Sequence, residues 1–198
     1  MTSIDSAPAR GTLLWWTLVT EGALLIVALG LMWWSDLIPT IDPDLVSIGA
    51  GLLFGVVAAA LAVGLANTAG PGFRRIRQDF DLMIGLFSNL RLIDLALISV
   101  LAGVCEEALF RGFIQTWIGT WTSPVLAIAG AAVIFGLTHA ISRPYVVFVT
   151  ILGAALGLLY HLTGSLVSVM LAHAVYDLIA LSWGMRVPQP RAKQSVAD

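Results

Sequence analysis

Six stretches of this chain are apolar over lengths at or near those that cross a lipid bilayer as a helix, about 20 residues. They are Leu13–Trp34, Leu45–Ala66, Leu92–Ile118, Pro124–Ala140, Tyr145–Tyr160 and Ser165–Trp183, the fifth being the shortest. In hydrocarbon every backbone N–H and C=O must find its partner within the segment, so such a chain folds as helices and not as an open sheet. The expected class is therefore all-α, a polytopic transmembrane helix bundle of about six spans. Composition agrees: 59% of residues are hydrophobic and only 11% charged, where a soluble domain carries about a quarter charged. The first apolar run is a full span with no small-residue cleavage site after a short core, so it reads as a retained helix.

The Lys and Arg positions select one orientation. With the N-terminus in the cytoplasm, Arg10, Arg74, Arg75, Arg77, Arg91, Arg143, Arg186, Arg191 and Lys193 all fall inside, as the positive-inside rule requires. The tenth base, Arg111, lies within a span. Asp36, Asp42 and Asp44 occupy the first external loop, which has no base. Both termini are then cytoplasmic, in a multi-pass protein of the cell's inner (plasma) membrane. Trp15, Trp16, Trp33, Trp34, Trp117 and Trp121 flank the spans where interfacial anchors belong. Between spans two and three, Phe73, Ile76, Phe80, Met83, Ile84 and Phe87 recur at helical spacing beside three arginines. That pattern predicts an amphipathic helix lying in the membrane interface. The organisation read from these features is an N-terminal cytoplasmic tail at 1–12, two accessory membrane helices and the interfacial helix at 13–90, a helical core at 91–184 and a disordered tail at 185–198. No basic cluster tracks a phosphate backbone, so nucleic acid is not an expected partner. The one cysteine, Cys105, excludes an internal disulfide and reads as a small buried residue.

An ionisable group in mid-bilayer costs about 2.5–3.5 kcal/mol or more, and persists where it faces a polar interior and finds partners. Here Glu106, Glu107 and Arg111 sit in the third span, His139 in the fourth, and His173 and Asp177 in the sixth. Glu107 and Arg111 are four apart and share a face. Glu106 points about 100° away from Glu107 around the helix. His173 and Asp177 are also four apart. Counting along the spans puts Glu106, His139, His173 and Asp177 in the inner or middle part of the membrane, where one cavity open to the cytoplasm could collect them. A carboxylate beside an imidazole polarises water, and a second imidazole can meet an oxyanion. Two His and a Glu also form a catalytic zinc set. The His-Glu-x-x-His signature is absent, so zinc is left open as a cofactor and no other is implied. Glu21, in mid-span one, has no evident partner in sequence. Gly49, Gly51, Gly55, Gly153 and Gly157 read as small residues at close helix contacts, and His161 as an interface residue.

Three motifs resemble those of the CAAX prenyl protease and bacteriocin-processing (CPBP, or ABI) family. Glu106-Glu107-Ala-Leu-Phe-Arg111 is similar to its Glu-Glu-x-x-x-Arg motif, Phe135-Gly-Leu-Thr-His139 to its Phe-x-x-x-His motif, and His173-Ala-Val-Tyr-Asp177 to its His-x-x-x-Asn/Asp motif. The resemblance covers residues 92–183. It implies an intramembrane endopeptidase, glutamate-dependent or metal-dependent, acting on a peptide or membrane-protein substrate at the lipid bilayer. By resemblance Glu106 and His139 would activate water, His173 and Asp177 would stabilise the oxyanion, and Glu107 and Arg111 would support the site. Asp177 departs from the Asn of the prenyl-protease branch. The alternatives are a non-catalytic scaffold or bacteriocin self-immunity protein of the same fold, and a proton- or metal-coupled transporter. The absence of an inverted repeat speaks against the transporter.

Overall fold

A computed structural model describes residues 8–39, 41, 43–68 and 71–186. Most of the expected N-terminal tail, Asp42, Arg191, Lys193 and nearly all of the expected C-terminal tail lie outside the described residues. The helices are α1 (Arg10–Ser35), α2 (Leu45–Ala66), α3 (Pro71–Phe87), α4 (Leu92–Glu107), a π-helix (Ala108–Gln115), α5 (Thr116–Gly119), α6 (Pro124–Thr138), α7 (Arg143–Thr163) and α8 (Leu166–Arg186). No strand occurs among the described residues. The fold is an all-α helical membrane bundle.

Local chemistry sets the boundaries. The Asp44 carboxylate accepts the N–H groups of Val46 and Ser47 at 2.9 and 3.0 Å and so caps α2. This hydrogen bonding, first of all to Ser47, holds the Asp44 carboxyl below its usual range. Ser123 and Ser142 cap α6 and α7, each followed by a proline in the first turn. Gly164 takes φ 63° and ends α7, its N–H donating to the Tyr160 carbonyl at 2.8 Å.

α1, α2, α7 and α8 are each long and apolar enough to cross a membrane. The other two expected spans are different in kind. The third, 92–119, is a continuous helical rod whose middle turns are π. The fourth, α6, has 15 residues, about 22 Å of rise, which is shorter than an apolar core of about 30 Å. Its C-terminal end, and His139 with it, therefore stops short of a full crossing. The fifth segment, the shortest in the sequence reading, is a full helix of 21 residues, because Arg143, Pro144, Leu162 and Thr163 continue it past the apolar run.

α8 is the central helix, with α2 against one side and α4 against the other. Glycines permit both approaches. A Cβ on Gly55 would lie 2.6 Å from the Ala172 carbonyl, and one on Gly103 would lie 2.6 Å from the Met170 carbonyl. Gly51, Gly153 and Gly157 serve the same purpose, as expected. Gly49 does not: it is exposed, with open space where a Cβ would be.

α3 corrects the simple interfacial picture. The helix forms where its periodicity places it, yet its inner face packs on α7 and α8. Ile84 is buried against Gly184, and Phe80 lies 6.3 Å from the Trp183 ring. Asp79 is fully buried; its carboxylate accepts from the Ser142 hydroxyl and pairs with Arg75 at 3.4 Å. An apolar stripe alone does not say whether lipid or protein will cover it. Asp79 on the covered side is what ties α3 to the α6–α7 turn.

Candidate active site

The third span carries Glu106 and Glu107 to the last turn of α4, where the π-helix begins. From there backbone hydrogen bonds skip an extra residue, a device frequent at functional sites. The π turns aim Arg111 and Gln115 at α7. Arg111 donates to the Gly153 carbonyl at 2.7 Å, and Gln115 to the Gly157 carbonyl at 2.9 Å. The sequence spacing foresaw the Glu107–Arg111 pair, and it forms at 2.7 Å with both side chains fully buried. It did not foresee the π-helix, which no side-chain pattern marks.

Glu107 has a second partner. Its Oε1 also accepts from His173 Nδ1 at 2.8 Å. His173 Nε2 faces Asp177 Oδ2 at the looser distance of 3.5 Å. Carboxylate oxygens facing both ring nitrogens suit an imidazole carrying N–H on each. Asp177 thus stands where it can hold His173, and the Nε2–H remains open to the cavity side.

His139 is the C-cap of α6. Its Nδ1 lies 2.9 Å from the Phe135 carbonyl, an acceptor only, so Nδ1 carries the proton. The lone pair of Nε2 is then directed toward Glu106 Oε2, 3.7 Å away. That separation is beyond a direct hydrogen bond and suits a water held between the two. Glu106 is 9% exposed, and its Oε2 has no hydrogen-bond partner among the described residues.

Phe135 holds these groups apart and in place. Its ring contacts His139 at 4.7 Å, His173 at 6.0 Å edge-on and Phe110 at 4.9 Å, and the Arg111 guanidinium sits 4.8 Å from its centre. The cation over the ring face adds to the ion pair.

Glu106, His139, His173 and Asp177 line one cavity of about 240 Å³, with Thr17, Glu21, Tyr145 and Tyr176. Phe80, Met83 and Phe87 of α3 form part of its wall. All six residues expected at the site therefore come together: four face the cavity, and Glu107 and Arg111 lie behind His173. Thr17, Tyr145 and Tyr176 were not foreseen. Glu21, without an account in the sequence, reaches this cavity from α1. The other polar features behaved more simply: Cys105 is buried and His161 is exposed at the last turn of α7.

No group of three His, Cys, Asp or Glu among the described residues is placed to hold a metal ion. His173 Nδ1 is spent on Glu107 and His139 Nδ1 on a carbonyl, and the remaining nitrogens face different carboxylates.

The class these features define is a helical membrane protein with an acid–imidazole cavity assembled across separate helices. Residues 88–179, a little under half of the chain, match the family model described as Type II CAAX prenyl endopeptidase Rce1-like. Over that segment the chain is similar to that family, as the motif resemblance implied. A relative from Bacillus subtilis (strain 168), the uncharacterized protein YpbD, is 34% identical over 97 residues, which make up 48% of this chain and 47% of that protein. The chain thus spans about half the length of the curated relative it matches. No solved structure matches it.

Proposed function

We propose that this protein is an intramembrane endopeptidase that hydrolyses a peptide bond with water activated by Glu106 and His139. The observation that carries the reading is the Glu106–His139 pair, 3.7 Å apart and facing a cavity that His173 and Asp177 also line. A water needs only about 10–15 Å³ by this measure of volume, so a cavity of about 240 Å³ admits water together with a peptide segment.

In this mechanism a water sits between Glu106 Oε2 and His139 Nε2. Its oxygen attacks the peptide carbonyl while its proton passes to Glu106. The new C–O bond places negative charge on the carbonyl oxygen, which accepts from His173 Nε2–H. Glu107, locked by Arg111, positions His173 through Nδ1, and the Asp177 carboxylate, 3.5 Å from Nε2, offsets the charge on the ring. When the intermediate collapses, the C–N bond breaks and Glu106 returns the proton to the leaving amine. No step requires a metal. The positive-inside count supports a cavity mouth toward the cytoplasm, in a multi-pass inner-membrane protein with both termini cytoplasmic. The substrate is a peptide or a membrane-protein segment.

The test is cleavage of a peptide library by the purified protein in detergent. Glu106→Gln and His139→Ala should each lower kcat/KM by about a hundredfold or more. Cleavage unaffected by either change would refute this site. A wild-type protein that cleaves no peptide would support the non-catalytic scaffold instead.

A further inference from the structure

α1 turns a single narrow stripe toward the protein. Ala28 and Met32 are buried on it, Thr17 and Glu21 are partly buried, and most of its other large side chains face outward. Thr17 and Glu21, one turn apart, are the polar members of this stripe that line the cavity. Glu21 lies far outside the segment 88–179 that resembles the endopeptidase family. Its Oε2 is buried and has no hydrogen-bond partner among the described residues. His173 and Asp177 line the same cavity.

The charges lining the cavity do not balance. Three carboxylates face it, those of Glu21, Glu106 and Asp177, and two imidazoles. His139 stands opposite Glu106 at 3.7 Å and His173 opposite Asp177 at 3.5 Å. No Lys or Arg is among the residues that line the cavity. Arg111 is committed to Glu107 and the Gly153 carbonyl. Glu21 is the cavity carboxylate with no imidazole opposite it. Nine-tenths-buried Glu106 lines the same cavity and has an unpartnered Oε2, so the shortage of donors is felt at the reacting end of the cavity as well. A carboxylate kept from water without a donor is costly, and a peptide can bring the donor.

We propose that Glu21 is a specificity-determining residue that receives a cationic side chain, Lys or Arg, placed next to the scissile bond of the substrate. The proposal rests on the endopeptidase reading above. A bound ammonium or guanidinium donates to the Glu21 carboxylate, offsets one of the cavity's negative charges and sets the register of the peptide over Glu106 and His139. Thr17, one turn away, offers a hydroxyl to the same group. A peptide with a neutral or acidic residue there leaves Glu21 unmatched or opposes it.

The experiment uses blocked peptides that differ at one position only: Lys, its neutral analogue norleucine, or Glu, scanned through each position around the cleavage site. Wild-type protein should prefer Lys to norleucine at one position by about thirtyfold in kcat/KM, the scale of a desolvated charge pair. In Glu21→Gln that ratio should fall to near one, and in Glu21→Arg the Glu peptide should become the preferred one. A wild-type ratio near one, or a ratio that Glu21→Gln leaves unchanged, would overturn the proposal. So would an equal slowing of Lys and norleucine peptides in Glu21→Gln, which would make Glu21 a proton carrier. Fluorescence anisotropy with the same peptides on Glu106→Gln and on Glu106→Gln/Glu21→Gln separates the two readings. Tighter binding of the Lys peptide that is lost with Glu21 upholds the specificity role even if nothing is cleaved, and absence of any such preference refutes it.

Discussion

The most demanding consequence of the packing concerns Gly103. This residue lies one turn before Glu106 and Glu107 on α4, where α4 crosses α8. A Cβ at Gly103 would be 2.6 Å from the Met170 carbonyl oxygen and 2.9 Å from the Ala174 amide nitrogen. Both are backbone atoms of α8, on either side of His173, so no rotamer change relieves the clash. Non-bonded contacts to carbon relax at about 3.5–4.0 Å, so Gly103→Ala must part the two helices by about 1 Å. The His173–Glu107 hydrogen bond, now 2.8 Å, would then stretch past about 3.6 Å and cease to be one. Overpacking of this kind costs about 1–3 kcal/mol. The gain in helix propensity, about 0.5–1 kcal/mol, offsets part of it. A displacement of about 1 Å at a reacting group costs about a hundredfold in rate, so activity should suffer more than stability. The assay pairs thermal unfolding in detergent with cleavage of the best library peptide. Gly49→Ala is the control, since nothing lies near its Cβ position; it should leave cleavage at the wild-type value and raise the midpoint slightly through the same propensity gain. A Gly103→Ala protein with wild-type cleavage and an unchanged midpoint would show that the α4–α8 contact does not set the site.

Arg111→Leu should lower thermal stability by about 3–5 kcal/mol, the cost of leaving a buried carboxylate without its cation; Arg111→Lys should restore only part of it, because a single ammonium does not span Glu107 and the Gly153 carbonyl. If Arg111→Leu unfolds like the wild type, the ion pair does not lock α7 to the π-helix. Asp79→Ala removes the acceptor of the Ser142 hydroxyl and should loosen α3, seen as faster tryptic cleavage at Arg74, Arg75 and Arg77. An unchanged digestion rate would mean that α3 is held by its apolar face alone. Treatment with a strong chelator should leave peptide cleavage unaltered if Glu106 and His139 alone activate the water; loss of cleavage restored by added zinc would refute that mechanism.

Much of the site was legible in one dimension because helical spacing is short-range geometry. Glu107 and Arg111, four apart, had to share a face, and so did His173 and Asp177. The cost of charge in a membrane made it reasonable that these groups converge. Glu21 obeyed the same cost argument and still could not be assigned. The ionisable groups that share its cavity belong to α4, α8 and the end of α6, and α1 is apolar on every side, so hydropathy does not show which stripe faces protein. Asp79 was hidden for a related reason: a carboxylate on an amphipathic helix reads as solvated until a serine from another helix turns out to cover it.

The sequence by itself determined that the chain forms membrane helices, roughly where each begins and ends, and which ionisable residues are neighbours along one helix. Those properties follow from hydropathy, capping and a repeat of 3.6 residues, all of them local. The tertiary structure alone decided that Phe135 sits between both histidines and Arg111, that the rod at 108–115 unwinds into π turns, and that α1 delivers a third carboxylate to the cavity. These depend on how closely helices distant in sequence approach, and that distance is set by glycines whose vacant Cβ positions acquire meaning only once the opposing backbone is in place.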